Sequence, residues 1–225
     1  ILSTSIISSS LKNYNIAITL KKVNKKFKDI ILFENLSIKI PDRKKILIKG
    51  VNGSGKSVFL KMIVGYSTPD SGEIIIDDYV LKKDRDFIDN AGVSINAPEF
   101  MKDLTGIENL MVLANIKKKV TKSEIMELVK TFGLEKNINK KYKTYSLGMK
   151  QKMRMIQAIM EKPKYLILDE PFDALDKKSQ DVATKLLNKY VESGNTLIFT
   201  SHNSQYEKFA DIIFEINDYK LKKVK

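Results

Sequence analysis

The chain has 225 residues, no cysteine, and 40 Lys and Arg against 27 Asp and Glu, a net charge of +13. This length can bury one sizeable core with a subdomain. The lack of cysteine excludes disulfides, thiolate metal sites and cysteine nucleophiles, as suits a cytosolic protein, and no apolar run is long enough to span a membrane.

Residues 1–14 are rich in Ser and Ile and follow neither a helical nor a strand period, so they are read as a tail. No basic segment opens them, so no secretory signal is expected, and the initial Ile suggests a processed start. Residues 15–23 set Ile16, Ile18 and Leu20 among smaller or polar residues and predict a strand. Residues 30–33 and 36–40 predict two more, closed by a turn at Pro41-Asp42. Together they suggest an antiparallel sheet edge. Phe27, between the first two, reads on local sequence as a core aromatic.

Residues 45–49 form a short apolar run that predicts a buried strand. Gly50-Val51-Asn52-Gly53-Ser54-Gly55-Lys56-Ser57 follows it, and Val58, Phe59, Leu60, Met62 and Ile63 suit a packed helix that Gly65 can end. The stretch fits G-x-x-x-x-G-K-[ST], the Walker A loop. Glycines let the backbone curl until its N–H groups meet phosphate oxygens, and the following helix adds its positive end. Lys56 supplies charge for the outer phosphates, and the Ser57 hydroxyl can ligate Mg²⁺.

After a turn over residues 68–72, residues 73–77 predict a strand. Residues 91–100 are mixed, with Pro98 barring a long helix. Residues 104–160 are helical in character. Thr105 with Glu108 and Thr121 with Glu124 form capping boxes, Gly133 is a C-cap, and Ser146 can cap a third helix bearing Met149, Met153, Ile156 and Met160. Methionines at this spacing are core packing. Residues 165–168, 196–200 and 212–216 predict strands, with a helix over residues 178–191 between the first two. Unbroken apolar strands alternating with a helix imply a parallel sheet covered on both faces.

Ligands of such a sheet bind at the carboxyl ends of its strands, where Asp169, Glu170 and His202, the one histidine, fall beside the Walker A loop. Asp169 can hold Mg²⁺. Glu170 can polarise a water for attack on the γ-phosphate, and His202 can contact that phosphate or position Glu170.

In this ordered set the chain resembles the ATP-binding subunit of an ABC transporter. The set comprises Walker A, the signature segment Tyr145-Ser146-Leu147-Gly148-Met149, Walker B over residues 165–169, Glu170, the D-loop Ala174-Leu175-Asp176, and His202 as switch histidine. The likeness covers residues 16–216. It implies an α/β P-loop NTPase with a mostly parallel core sheet, an N-terminal antiparallel β-subdomain and an inserted helical subdomain. The nucleotide-binding core would take residues 15–90 and 161–216, the helical subdomain residues 91–160, and a basic C-terminal tail residues 217–225.

The resemblance also implies that ATP and Mg²⁺ bind at residues 50–58, with Gly50, Val51, Asn52, Gly53, Ser54, Gly55, Lys56, Ser57 and Val58 around the phosphates. Phe27 would stack on adenine, and Ser57, Asn96 and Asp169 would hold the metal. A second cassette, the same or different, would supply Ser146, Leu147, Gly148 and Met149 to close the ATP. Separate membrane subunits would sit at the cytoplasmic face of the cell membrane, and no nucleic-acid partner is expected.

This sequence departs from the family pattern in places. Tyr145, Leu147 and Met149 stand where Leu, Gly and Gln are usual, although Ser146 and Gly148 remain. Asn96 stands for a Gln, one methylene shorter, and Val58 for a Ser or Thr. The signature, with Ala97-Pro98-Glu99-Phe100 and residues 104–110, looks most like exporter cassettes of the bacitracin and lantibiotic-immunity kind. A soluble ABC-type ATPase acting on nucleic acid or ribosomes is the alternative, although such proteins usually carry a second cassette or a long coiled coil. Lys56, Asp169, Glu170 and His202 argue against a non-hydrolysing binding module.

Overall fold

Strands buried on both sides need cover on both sides, and that requirement lays out the molecule. The computed structural model describes residues 15–96 and 99–225. The expected tail, residues 1–14, and Ala97 and Pro98 lie outside the described residues. Along the chain come β1 (Ile16–Phe27), β2 (Ile30–Pro41), β3 (Lys45–Lys49), α1 (Lys56–Val64), β4 (Ser71–Ile76), β5 (Tyr79–Val80) and β6 (Ala91–Ser94). Then follow α2 (Gly106–Lys117), α3 (Lys122–Thr131), α4 (Leu147–Ile159), β7 (Tyr165–Leu168), α5 (Lys177–Glu192), β8 (Thr196–Thr200), β9 (Ile212–Asn217) and β10 (Lys220–Lys223).

The strands form a four-stranded sheet of order β2-β1-β4-β5 and a six-stranded sheet of order β10-β9-β3-β8-β7-β6. The first is antiparallel throughout. In the second, β9, β3, β8, β7 and β6 run parallel and β10 returns antiparallel. Successive side chains of the parallel strands point to opposite faces. Ile46, Ile48, Ile167, Ile198 and Phe214 join α1 and the antiparallel sheet in one core. Leu47, Leu166, Leu168, Leu197 and Phe199 join the helices α2 to α5 in the other. Burying each such side chain stabilises by about 1.5–3 kcal/mol.

The structure differs from the sequence reading at several boundaries. Residues 30–33 and 36–40 form one strand, β2, of 12 residues. The apparent break is an irregularity at Asn35, which adopts a left-handed φ of 48° and whose N–H donates to the Asn24 side chain. Residues 91–94, expected in the helical subdomain, are the edge strand β6 of the parallel sheet. Gly92 permits this, because a side chain there would run into the Ala158 carbonyl of α4. Residues 217–225, expected as a basic tail, contain β10, which pairs with β9 and buries Leu221.

Both expected capping boxes are formed, Thr105 with Glu108 and Thr121 with Glu124. Glu124 also accepts a hydrogen bond from Lys162 just beyond α4 at 2.7 Å, joining α3 to α4. That bond, with those from the Thr121 N–H and hydroxyl, lowers the Glu124 pKa from 4.5 to about 2. A lowered carboxyl pKa stabilises above the ordinary value, and the contribution disappears as pH falls through the lowered one. In a carbon-detected NMR titration the Glu124 carboxyl should titrate near 2; a midpoint at 4.5 would mean that cap and ion pair are not formed in solution.

Candidate functional site

The parallel strands bring their carboxyl ends to one rim. There β3 runs into the Walker A loop, β7 into Asp169 and Glu170, and β8 into Ser201 and His202. The loop turns on Gly53 and Gly55, at φ 81° and 101°, a region that side chains disfavour. Gly55 also lies against Phe33 of β2, and Phe33 meets Phe59 of α1 edge-on. The loop is thereby seated on the antiparallel sheet.

Helix α1 starts at Lys56 with no side-chain cap, so its first N–H groups stay open to a ligand. The Ser54 hydroxyl is buried and has no hydrogen-bond partner among the described residues. Open donors at a helix N-terminus suit an anion, and phosphate fits them. Lys56 is only 7% exposed. Its Nζ donates to the carbonyls of Gly50 at 2.8 Å and Val51 at 3.2 Å, and it lies 3.7 Å from a Glu170 oxygen.

The half-buried Asp169 is held on every side. One carboxylate oxygen accepts from the Ser57 hydroxyl and the other from the Thr200 hydroxyl, both at 2.7 Å. Its N–H donates to the Ser94 carbonyl at the end of β6 at 2.8 Å. The Thr200 oxygen in turn accepts the Glu170 N–H at 2.8 Å. A hydroxyl beside a carboxylate at a strand end suits a hard cation such as Mg²⁺, which takes oxygen ligands.

Glu170 itself has a left-handed backbone, φ 45°. Its side chain lies between Lys56 and His202, whose N–H and Nδ1 are both 3.3 Å from Oε2. A carboxylate set between a cation and an imidazole can take a proton from a water beside it. Phe27, read on local sequence as a core aromatic, is 61% exposed. It stands at the end of β1, where no second layer covers it. With Ile30 and Leu32 it walls a cleft of about 490 Å³ whose other side is the Walker A loop, Asp169 and Glu170.

Other candidate residues lie apart within this one chain. Asn96 is exposed just past β6, at φ 54°, and makes no hydrogen bond to Ser57 or Asp169. Ser146 caps α4, its Oγ accepting the Met149 N–H at 3.3 Å, and Leu147 beside it is 73% exposed. Gly148 rests against the Ala174 carbonyl, which a Cβ would approach to 2.8 Å. Asp176 caps α5 by accepting the Ser179 N–H at 2.7 Å, a bond that lowers its pKa.

Two residues that hold the rim were missed. Thr200 is a polar residue closing an apolar strand, and that contrast was the available signal. Gln151 of α4 donates to the carbonyls of Glu170 at 3.4 Å and Pro171 at 3.0 Å; nothing local marks it.

The protein-family model described as ABC transporter matches residues 33–173, more than half of the chain. The chain belongs to the ABC transporter family. Within it the chain is an ATP-binding cassette, an ATPase. An uncharacterized ABC transporter ATP-binding protein of Bacillus subtilis is 33% identical over 88% of this chain and 92% of its own length. The bacitracin transport ATP-binding protein of Enterococcus faecalis is 32% identical over 86% of this chain but 64% of its own length. A bacterial ABC transporter cassette solved as a dimer superposes with a TM-score of 0.82 at 25% identity, covering 92% of this chain and 99% of that one. No helix of the described residues is long and apolar enough to cross a membrane.

The hydroxyl of Thr200 serves this ABC cassette twice, as donor to Asp169 and acceptor from Glu170. Thr200→Val keeps the shape and removes both bonds, leaving an oxygen and an N–H unpaired. Each such loss costs about 1–3 kcal/mol, so the variant should lose roughly 2–6 kcal/mol in urea unfolding and turn over ATP more slowly. Unchanged stability would mean that water replaces the hydroxyl.

Proposed function

We propose that this cassette binds MgATP on its Walker A rim, closes on a second cassette, hydrolyses the ATP and reopens, driving separate membrane subunits. The observation that carries this is the single rim on which Lys56, the Ser57–Asp169 pair, Glu170 and His202 meet. Lys56 balances the β- and γ-phosphates, while the backbone N–H groups of residues 53–58 cradle their oxygens. Ser57 and Asp169, with Asn96, would hold Mg²⁺, or Asn96 would instead meet the attacking water. When bound, the ion supplies positive charge against the phosphate oxygens. Glu170 orients that water and draws its proton, and His202 keeps Glu170 turned toward it. Phe27 stacks on the adenine.

Each cassette holds only half of a closed site. Ser146, Leu147, Gly148 and Met149 of one copy cap the ATP on the other, with the helix dipole of α4 directed at the γ-phosphate. Asp176 lies in the D-loop between them. The likeness to a dimeric cassette supports this reading, as does the exposure of Leu147. The membrane subunits place the assembly on the cytoplasmic face of the membrane. The bacitracin transport relative and the exporter-like signature favour export of a peptide, an antibiotic or another small compound.

Lys56→Ala should abolish ATP turnover and leave the fold intact; turnover at the unaltered rate would refute the site. Glu170→Gln should bind MgATP but hydrolyse it about a hundred- to ten-thousand-fold more slowly, since a positioned base is worth about that much. Light scattering after size exclusion should find this variant dimeric with MgATP and monomeric without. Adding Ser146→Arg should abolish the dimer. A double variant that still dimerises as strongly would remove the signature segment from the site.

A further inference from the structure

The proposed hydrolytic pair sits on two irregular segments. Glu170 begins the turn after β7, and His202 leads into a short 3₁₀ turn over Ser204–Glu207. Their direct contacts are both 3.3 Å long, and His202 is 52% exposed. Long contacts open to water fix a geometry poorly.

The two segments meet firmly just behind the pair. Phe172, two residues past Glu170, stacks on Tyr206, four past His202, with ring centroids 4.0 Å apart and planes 13° from parallel. Phe172 is 3% exposed and Tyr206 7%. Phe199 of β8 and Phe209 meet the Phe172 ring edge-on, at 5.9 and 6.0 Å. Edge-on neighbours around a stacked pair fix the plane of the rings as well as their place.

Main-chain bonds tie both rings to the pair. The Tyr206 N–H donates to the Asn203 carbonyl, directly after His202, and the Tyr206 carbonyl accepts from Phe209 and Ala210. Gln151 holds the Glu170 and Pro171 carbonyls, directly before Phe172. Only short, bonded stretches of main chain thus separate the two rings from Glu170 and His202.

We propose that Phe172 and Tyr206 are positioning residues whose stack sets the spacing of Glu170 and His202 during ATP hydrolysis. This rests on the proposed roles of those two residues. The stack and its edge-on neighbours hold the two segments against each other, and so hold Glu170 beside His202.

The test compares Tyr206→Leu, which keeps apolar bulk but loses the flat face, with Tyr206→Phe, which keeps the face. Phe172→Leu gives the same loss from the other side, should Tyr206→Leu fold poorly. A misplacement of about 1 Å can cost a hundred-fold in rate. Tyr206→Leu should therefore lower kcat by about ten- to a hundred-fold, with KM for ATP within about twofold, because no ATP-contacting group is touched. Tyr206→Phe should stay within about twofold of the parent chain in both.

Because His202 is the one histidine, its imidazole C2 proton gives a single NMR line. That line should shift or broaden in Tyr206→Leu and Phe172→Leu, and keep its width and near position in Tyr206→Phe. An unmoved line in the leucine variants overturns the proposal, as does an equal loss of kcat in Tyr206→Phe. If Glu170→Gln and His202→Ala both turn over ATP like the parent chain, the catalytic reading falls by itself. The His202 line still decides whether the stack positions that segment.

Discussion

The rim is held together through one carboxylate. Asp169 takes a hydroxyl on each oxygen, from Ser57 at the head of α1 and Thr200 at the end of β8, and its N–H anchors on Ser94 at the end of β6. Three strands and a helix thus converge on a single residue. A half-buried charge is destabilising unless its lone pairs are occupied, so the partners of Asp169 are as much a requirement of folding as of chemistry. Once they are met, Thr200 also holds the Glu170 main chain, and Lys56 lies against the carbonyls of Gly50 and Val51. What the protein's own hydrogen bonds set in advance need not be arranged when a ligand arrives, and preorganisation of that kind lowers barriers.

Features that announce themselves locally could be read from the chain. The Walker A stretch carries its own strand, turn glycines and helix within twenty residues or so, and apolar runs mark β7 and β8 because parallel strands are buried on both faces. Capping boxes mark α2 and α3 through side chains three residues apart. The unread parts depend on distant partners. β6 is Ala-Gly-Val-Ser, a strand by its pairing with β7, and Gly92 makes room for α4 across it. β10 has one buried residue, Leu221, and forms because β9 presents an open edge to it. Thr200 meets Asp169 across 31 residues of sequence, a separation at which no local pattern survives. Phe27 shows the opposite error. Its type suggests burial, but its position at the end of β1 leaves it bare.

The excess of basic residues is spread in the same distributed way. Many lysines pair across elements, as Lys25 does with Asp70, Lys164 with Asp77 and Lys162 with Glu124. Lys49, at the end of β3, lies near both Glu207 and Glu215, and its pKa is raised chiefly by the Glu207 hydrogen bond. Exposed pairs of this kind add about 0–1 kcal/mol each.

The close passage of α4 over β6 has a mechanical side. Gly92 lets the helix backbone at Ala158 settle onto the sheet, and Met153, Met155, Ile156 and Ile159 bury that end. The opposite end carries exposed Leu147, with Gly148 resting on the Ala174 carbonyl. The helix is therefore a lever seated at Gly92 and steadied nearer its tip by Gln151 and Gly148. At 1.5 Å per residue its arm is about 20 Å, so a tilt of about 10° at Gly92 swings Ser146 through roughly 3 to 4 Å. A displacement of that size exceeds the length of one hydrogen bond, so the position of Ser146 is sensitive to small changes where β6 and β7 meet.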